Sequence, residues 1–465
     1  MTSRCLAGLA LSLLLLGSGV RAFEVTLPAH ERIVLDNGTV LVLSEQHDVP
    51  LIGLEAIVRG GAATDPDGLN GMADLLAALI QHGAGRRDAA AFADAYESVG
   101  AKLRASAELE VLRISADFMA RDAELMIELV ADMLQRPTLD EQELIKLRTR
   151  SINLIKAAKG GDPGELLPDY GNAFLFGAHP YGNPVSGSEE TLAAISHEQL
   201  LSYYGDFFGG DRLIVSVVGA FNMEAMKERL DATFGGWRPA GAELPELWGA
   251  SKITGRRVLL IDKPGATQTY FWIGNIGVAI DYPGRASLDL ANTVFGGRFT
   301  SMLNDELRVK AGLTYGARSL LQRPSRPGAV VISSFTETAR TIEVIEMALD
   351  VLGQLKSSGV DDDAARSARN YIMGQFPPRL ETAAQRARQF AMLEQYGLDA
   401  SYINDYGAML QAATVESIAA AIDEVYPTSE NVSFVLIGDA ASIREAVAEL
   451  GPLTEISIDE PSFRP

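Results

Sequence analysis

Residues 71–83 of this 465-residue chain read Gly-Met-Ala-Asp-Leu-Leu-Ala-Ala-Leu-Ile-Gln-His-Gly. The apolar residues recur at helical spacing, and we predict a helix from Asn70 to Gln81. Gly83 follows it, and a glycine is the usual residue just past a helix end. This helix is unusually apolar, and Asp74 is its one acidic residue.

Strand and helix patterns surround this segment in the first half of the chain. Two short apolar runs flank Asp36-Asn37-Gly38, which predicts a β-hairpin because Asn-Gly supplies the positive φ angles of a tight turn. Leu51–Val58 follows as a further strand, and three more helices are predicted at Ala89–Val99, Ala123–Leu134 and Glu141–Lys159. Strands at the ends with helices between them indicate an α+β fold rather than a doubly wound sheet.

A pattern in the first half returns in the second. Ser196 precedes a helical segment that leads into an apolar strand ending at Gly219, and Thr414 begins the same order of elements, which ends at Gly438. In both copies Ser or Thr precedes a glutamate by two residues, as expected for an N-cap with an acidic first turn. We therefore predict two homologous α+β halves produced by duplication.

The division between the halves is expected near Trp237–Lys252, which is rich in proline and glycine and has no sustained apolar period. We assign residues 23–240 to the first domain, 241–252 to a linker and 253–465 to the second domain. Residues 1–22 have the features of a signal peptide: the positively charged Arg4, an uncharged apolar run, and small residues before the expected cleavage site. Export to the periplasm with cleavage after Ala22 is the expectation.

Composition excludes several classes of protein. Cys5 is the single cysteine and lies in the predicted signal peptide, so no disulfide or thiolate metal site is expected in the mature chain. The formal net charge of −21 argues against nucleic acid or an anionic membrane as the partner. It permits basic peptides as partners, although acidity for solubility is the more common explanation of such a charge. No membrane span is expected.

The apolar segment at 71–83 resembles the active-site helix of the pitrilysin (insulinase, mitochondrial processing peptidase) family. Further motifs resemble that family in the same order along both halves: His179-Pro180-Tyr181-Gly182, Val217-Val218-Gly219, Asp262-Lys263-Pro264-Gly265, Leu307-Arg308-Val309-Lys310-Ala311-Gly312-Leu313-Thr314-Tyr315 and Gly374-Gln375-Phe376-Pro377. The resemblance implies two α+β halves forming one side of a clamshell.

The zinc motif of that family is His-x-x-Glu-His, in which two histidines one turn apart bind the ion and the glutamate activates its water. Here its positions fall on Asp74, Ala77 and Ala78, and the third ligand position falls near Ile155. All three ligands and the base are missing. We expect no cofactor in this chain. The five histidines do not rebuild a site, since none are paired at helical spacing, and each is expected at the surface or in a turn: His30, His47, His82, His179 and His197.

Arg308 and Tyr315 match an Arg/Tyr pair that family members carry in their second half. The resemblance implies that this pair contacts the substrate backbone and the oxyanion beside a zinc held elsewhere. The apolar pattern alone favours a solvent-facing Arg308 next to a buried helical stripe made of Phe299, Met302, Leu303 and Leu307.

The resemblance therefore implies the subunit without zinc of a two-chain periplasmic peptidase. Its partner would be a homologous subunit with the His-x-x-Glu-His motif and bound zinc, and the substrate a peptide or an unfolded protein. Two alternatives stay open. One is a structural or peptide-binding protein without proteolysis, like the respiratory-complex core subunits. The other is a hydrolase with a new site, which no Ser/His/Asp arrangement in the sequence supports.

Overall fold

The first half of the chain contains eight strands and eight helices within the described residues. A computed structural model describes residues 25–465, so the predicted signal peptide at 1–22 lies outside them. The strands are β1 (Glu31–Val34), β2 (Val40–Glu45), β3 (Leu51–Arg59), β4 (Gly83–Ala84), β5 (Arg87–Asp88), β6 (Lys102–Ala107), β7 (Val111–Met119) and β8 (Leu213–Gly219). The helices are α1 (Met72–Leu79), α2 (Ala89–Glu97), α3 (Ala123–Gln135), α4 (Glu141–Gly160), α5 (Leu167–Phe176), α6 (Glu189–Ala194), α7 (His197–Phe207) and α8 (Met223–Phe234).

The second half begins after a segment without helix or strand that includes residues 241–252. Its strands are β9 (Arg257–Asp262), β10 (Gln268–Ile276), β11 (Arg318–Leu321), β12 (Ala329–Glu337), β13 (Ser433–Gly438) and β14 (Leu453–Ser457). Its helices are α9 (Arg285–Asn292), α10 (Met302–Asn304), α11 (Thr341–Ser358), α12 (Asp362–Gln375), α13 (Ala383–Tyr396), α14 (Ser401–Asn404), α15 (Tyr406–Ala412), α16 (Val415–Val425) and α17 (Ala440–Ala448).

Each half forms one six-stranded mixed sheet, and the two sheets have the same internal order. The first runs β1-β2-β8-β3-β7-β6, and the second runs β14-β9-β13-β10-β12-β11. Only the outer strand next to β2 or β9 differs: β1 pairs antiparallel with β2, whereas β14 comes from the end of the chain and pairs parallel with β9. The predicted α+β class and the duplication are confirmed.

Local signals in the sequence placed several elements. The hairpin between β1 and β2 turns at Gly38, whose φ of 90° suits glycine. The helix predicted at 70–81 is α1, shorter by two residues at each end. Ser196 and Thr414 cap α7 and α16 through their side chains, and each helix leads into a fully buried strand.

One helix from each half packs on the sheet of the other half. Helix α5 of the first half packs on β10 and β13 of the second sheet, and α13 of the second half packs on β3 and β8 of the first. Gly171 on α5 lies against the Trp272 ring, and Gly53 on β3 lies against the backbone of Ala384 on α13. Each sheet therefore has one face on helices of its own half and the other covered from the opposite half. Among residues 25–465, no helix is long and apolar enough to cross a bilayer.

Candidate functional site

Helix α1 is fixed at its first turn by a buried carboxylate. Asp65 accepts hydrogen bonds from the backbone N–H of Gly71 at 2.8 Å and of Ala73 at 2.9 Å. Burial raises the pKa of Asp65 to about 7, against the lowering effect of these N–H groups. The carboxylate supplies acceptors for helix N–H groups that have no partner within the helix. It thereby holds the first turn of α1 against the loop that follows β3.

The positions of the degenerate zinc motif divide between the core and a cavity. Ala77 is buried, with 1% of its surface exposed, while Asp74 and Ala78 are half-buried one turn apart. Helix α4 packs against α1. Ile155 on α4, near the position expected for the third ligand, is buried. A methyl group and an isoleucine offer no atom that binds zinc. The residues present at this site do not fit the ion.

A cavity of about 330 Å³ lies beside Asp74. Asp169 and Asn172 of α5 line it too, and its lining contains no lysine, arginine or histidine. Burial raises the pKa of Asp74 to about 6 and that of Asp169 to about 7. The Oδ1 atom of Asn172 is buried without a hydrogen-bond partner among residues 25–465. The cavity therefore contains two acidic groups and no basic side chain.

Each histidine has its own local partner rather than a metal site. His82 approaches Glu143 at 3.3 Å, and His197 approaches the carbonyl oxygen of Leu139 at 2.6 Å. His179 lies in the predicted extended conformation before a proline turn, yet it is buried there. Between residues 25 and 465, no three His, Cys, Asp or Glu side chains are grouped so that they could hold a metal ion.

Arg308 lies on a wide helical turn at Asp305–Lys310 that continues from α10. Leu303 and Leu307 anchor this turn in the core, as the pattern predicts. After it, Gly312 takes a φ of 65°, a left-handed conformation that favours glycine. The backbone N–H of Leu313 then donates to the carbonyl oxygen of Leu307 at 2.9 Å. This hydrogen bond directs the following residues back along the turn, so Tyr315 lies next to Arg308.

The guanidinium of Arg308 stacks between two exposed aromatic rings. Its carbon lies 4.5 Å from the ring centre of Phe299 and 4.8 Å from that of Tyr315. Tyr315 is 76% exposed and Phe299 63%. The acids nearest in sequence, Asp305 and Glu306, pair instead with Lys310 at 2.8 and 2.7 Å. The N–H groups of Arg308 therefore stay available for a ligand.

The prediction that Phe299 belongs to the buried helical stripe is wrong. Ser301 caps the helix, so Phe299 precedes its first residue and does not share its apolar face. The sequence also gave no sign of the role of Asn304, which is buried on α10. Its side chain accepts from the N–H of Ala317 at 3.0 Å and donates to the carbonyl oxygen of Arg298 at 3.4 Å. Asn304 thus joins the two segments that carry the aromatic rings.

A cleft of about 500 Å³ opens beside this stack. Arg308 and Arg318 line it from the second half, and Asp162 and Glu165 line it from the loop that leads into α5. This loop, with the sequence Asp-Pro-Gly-Glu at 162–165, could have been recognised only as a turn. The cleft shares no lining residue with the cavity at Asp74. The structure therefore brings Arg308 and Tyr315 together, and Arg308 lines a different cavity from the one beside Asp74.

Two models of one peptidase family match most of the chain. The model described as Insulinase (Peptidase family M16) matches residues 40–188, and the one described as Peptidase M16 inactive domain matches residues 194–372. The zinc protease YmxG of Bacillus subtilis, which is uncharacterized, is 24% identical over 356 residues, covering 76% of this chain and 85% of the relative.

A second relative is named a non-peptidase homolog, YmxG of Helicobacter pylori. It is 24% identical over 354 residues, covering 74% of this chain and 79% of its own length. The crystal structure of a peptidase M16 inactive domain from Pseudomonas fluorescens superposes with a TM-score of 0.82 at 22% identity, over 88% of this chain and 98% of that one. This structural likeness establishes the fold.

Proposed function

Because this chain belongs to the M16 (insulinase) peptidase family, we propose that it is the subunit without zinc of a two-chain peptidase. Its partner is a homologous subunit that carries the His-x-x-Glu-His motif and the zinc. The complex hydrolyses peptides or unfolded protein segments, and this chain contributes substrate contacts from its second half. The loss of ligands at Asp74, Ala77 and Ala78 supports this division of labour.

The observation that carries the proposal is the stack of Arg308 on Tyr315, in which the guanidinium is half-buried and the tyrosine ring is exposed. The acids beside Arg308 pair with Lys310, so its guanidinium stays available for a ligand. A tyrosine hydroxyl that faces solvent adds little to stability, whereas a binding site needs such a group unoccupied. The two rings hold the planar guanidinium in one orientation, which reduces the entropy lost when it binds. The guanidinium then binds a peptide carbonyl, and the Tyr315 hydroxyl donates to the oxyanion of the scissile bond held by the partner.

The cleft supports a peptide as the occupant. It presents two arginines on one wall and the acids Asp162 and Glu165 on the other, so it can bind both the carbonyl groups of a backbone and basic side chains. The net charge of −21 favours association with basic segments at low salt. Localisation in the periplasm follows from the predicted signal at residues 1–22, and it belongs to this proposal.

The test is kinetic and uses the complex with the zinc-bearing partner. Tyr315→Phe removes one hydroxyl and little volume, so we expect assembly and zinc content to be unchanged while kcat falls by about 10² or more. KM should change less, because the interaction develops mainly in the transition state. Arg308→Lys should also lower kcat, since an ammonium cannot reproduce the planar fork between the two rings.

Val309→Ala is the matched control, because Val309 follows Arg308 on the same turn and is 65% exposed. It should leave kcat within twofold of the parent. The proposal fails if Tyr315→Phe also stays within twofold, and the chain is then better described as a scaffold or peptide-binding protein without proteolysis. That alternative is favoured by one observation, namely that stacking on two rings already stabilises Arg308 without a substrate.

A further inference from the structure

A second polar cavity lies in the second half, away from the cleft at Arg308. Its volume is about 380 Å³, and it is bounded by α9, α12, α14 and α15 and by the segment Phe376–Leu380 that connects α12 to α13. It shares no lining residue with the cleft or with the cavity at Asp74. Pockets for small ligands typically start near 300 Å³, so this cavity suits a ligand of a few residues at most.

The cavity carries a surplus of positive charge in an acidic protein. Arg285, Arg323 and Arg379 line it, and Asp289 is its single acid. Both oxygens of Asp289 are occupied, by Arg323 at 2.8 Å and by the Tyr406 hydroxyl at 2.7 Å. The Nη1 atom of Arg323 is nevertheless buried with no hydrogen-bond partner in the part of the chain that the structure describes. One carboxylate thus faces three guanidinium groups.

Arg285 is the most confined of the three. It is 7% exposed, and its guanidinium lies 3.4 Å from the ring centre of Tyr402 and 4.7 Å from that of Tyr406. Its one hydrogen bond within residues 25–465 goes to the carbonyl oxygen of Tyr402. Burying a cation without a counter-charge is costly, so a complementary anion in the cavity would stabilise it. Arg379 is exposed at the rim, where it can close over such an anion.

The remaining lining indicates which anion fits. Gln375 and Gln389 contribute amide groups, which can pair with a peptide bond. Ile372, Phe376 and Met392 supply apolar surface, which an inorganic ion would not use. We propose that this cavity binds the carboxyl-terminal end of a short peptide, with its carboxylate on the arginines and its last amide on the glutamines. The inference goes beyond the peptidase proposal and concerns the isolated chain, so either can fail without the other.

Titration calorimetry on the full chain without its partner tests this site. The probes are an N-acetylated tripeptide of alanine with a free carboxylate, the same tripeptide with a carboxyl-terminal amide, and inorganic phosphate. We expect the carboxylate form to bind with a dissociation constant below about 1 mM and the amide at least about tenfold more weakly. Arg379→Gln should weaken binding of the carboxylate form by about tenfold as well, because it removes one of the three positive charges of the cavity. Arg379 is exposed at the rim, so we expect this change to leave the fold intact.

Arg366→Gln is the matched control. It removes the same charge from α12, but Arg366 pairs with Asp363 on the surface and does not line the cavity. It should leave binding within twofold. Equal affinity for the carboxylate and the amide would overturn the proposal, as would binding of phosphate without the peptide, no binding of any probe, or equal effects of Arg379→Gln and Arg366→Gln.

Discussion

The two halves build the same sheet around very different segments. In the first half, the chain after β3 forms α1, which Asp65 ties down and which buries Ala77 in the core. In the second half, the chain after α9 forms the turn that carries Arg308, whose half-buried guanidinium lies against the exposed ring of Tyr315. The framework is shared, because five strands of each sheet correspond in order and each sheet is covered by one helix from the opposite half.

This difference separates what folding requires from what binding requires. In the first half Ala77 and Ile155 pack in the core, and neither needs a polar partner. In the second half two aromatic rings lie in solvent around the half-buried Arg308, where they contribute little to stability. Exposed groups with little structural benefit are the better candidates for function, and these lie in the second half.

The largest expected effect concerns the exchanged helices that make the two halves one unit. A Cβ atom on Gly53 would lie 2.3 Å from the backbone nitrogen of Ala384 on α13, and backbone cannot move aside by rotating a side chain. Gly53→Ala should therefore lower the free energy of unfolding by about 3 kcal/mol, measured by denaturant titration. For Gly171→Ala the nearest atom is 2.8 Å away, in the Trp272 ring, so the overlap is smaller and its cost should be smaller.

Gly374→Ala is the control for these two variants. Gly374 lies in α12 with open space around its Cα, and alanine favours a helix over glycine by about 1 kcal/mol. It should stabilise the protein slightly. If Gly171→Ala proves more costly than Gly53→Ala, the contact of α5 with Trp272 is less tolerant of an added methyl group than the contact of β3 with the backbone of α13.

A smaller effect is expected from the carboxylate that α5 carries into the cavity at Asp74. Burial raises the pKa of Asp169 to about 7 in the folded protein, above the 3.8 of an unburied aspartate. The unfolded chain therefore releases its proton first, and the free energy of unfolding falls as the pH rises from about 4 to about 7. Asp169→Asn cannot ionise, so it should gain on the order of 2 kcal/mol relative to the parent between pH 5 and pH 8.

Asn172→Ala is the matched control, since Asn172 lines the same cavity from the same helix and carries no ionisable group. Its stability relative to the parent should differ by the same amount at every pH in this range. A parallel pH dependence for the parent and Asp169→Asn would mean that Asp169 ionises as freely in the fold as in the unfolded chain.

The sequence predicted elements whose signals are local. The turn at Gly38 and the caps at Ser196 and Thr414 each depend on a few neighbouring residues, and the structure confirms them. The exchange of α5 and α13 could not be predicted, because an apolar helix face does not specify which sheet it covers. The apolar pattern also predicted that Phe299 is in the core, because it could not locate the helix start at Ser301.

The smallest expected effect tests whether the exposed stack in the second half is held in place, as α1 is held by Asp65 in the first. Asn304 joins the carbonyl oxygen of Arg298 to the N–H of Ala317, so it fixes the segments on both sides of Arg308. Asn304→Ala leaves two backbone groups without this partner and should lower the free energy of unfolding by about 1 kcal/mol. Asn304→Asp keeps the acceptor for Ala317, but it places a charge in this buried site and turns a second oxygen toward the carbonyl oxygen of Arg298. It should therefore be no more stable than Asn304→Ala at neutral pH. Thermal and denaturant unfolding of the three proteins measures the order. If Asn304→Ala keeps the full stability of the parent, the turn is held by its apolar contacts at Leu303 and Leu307 instead.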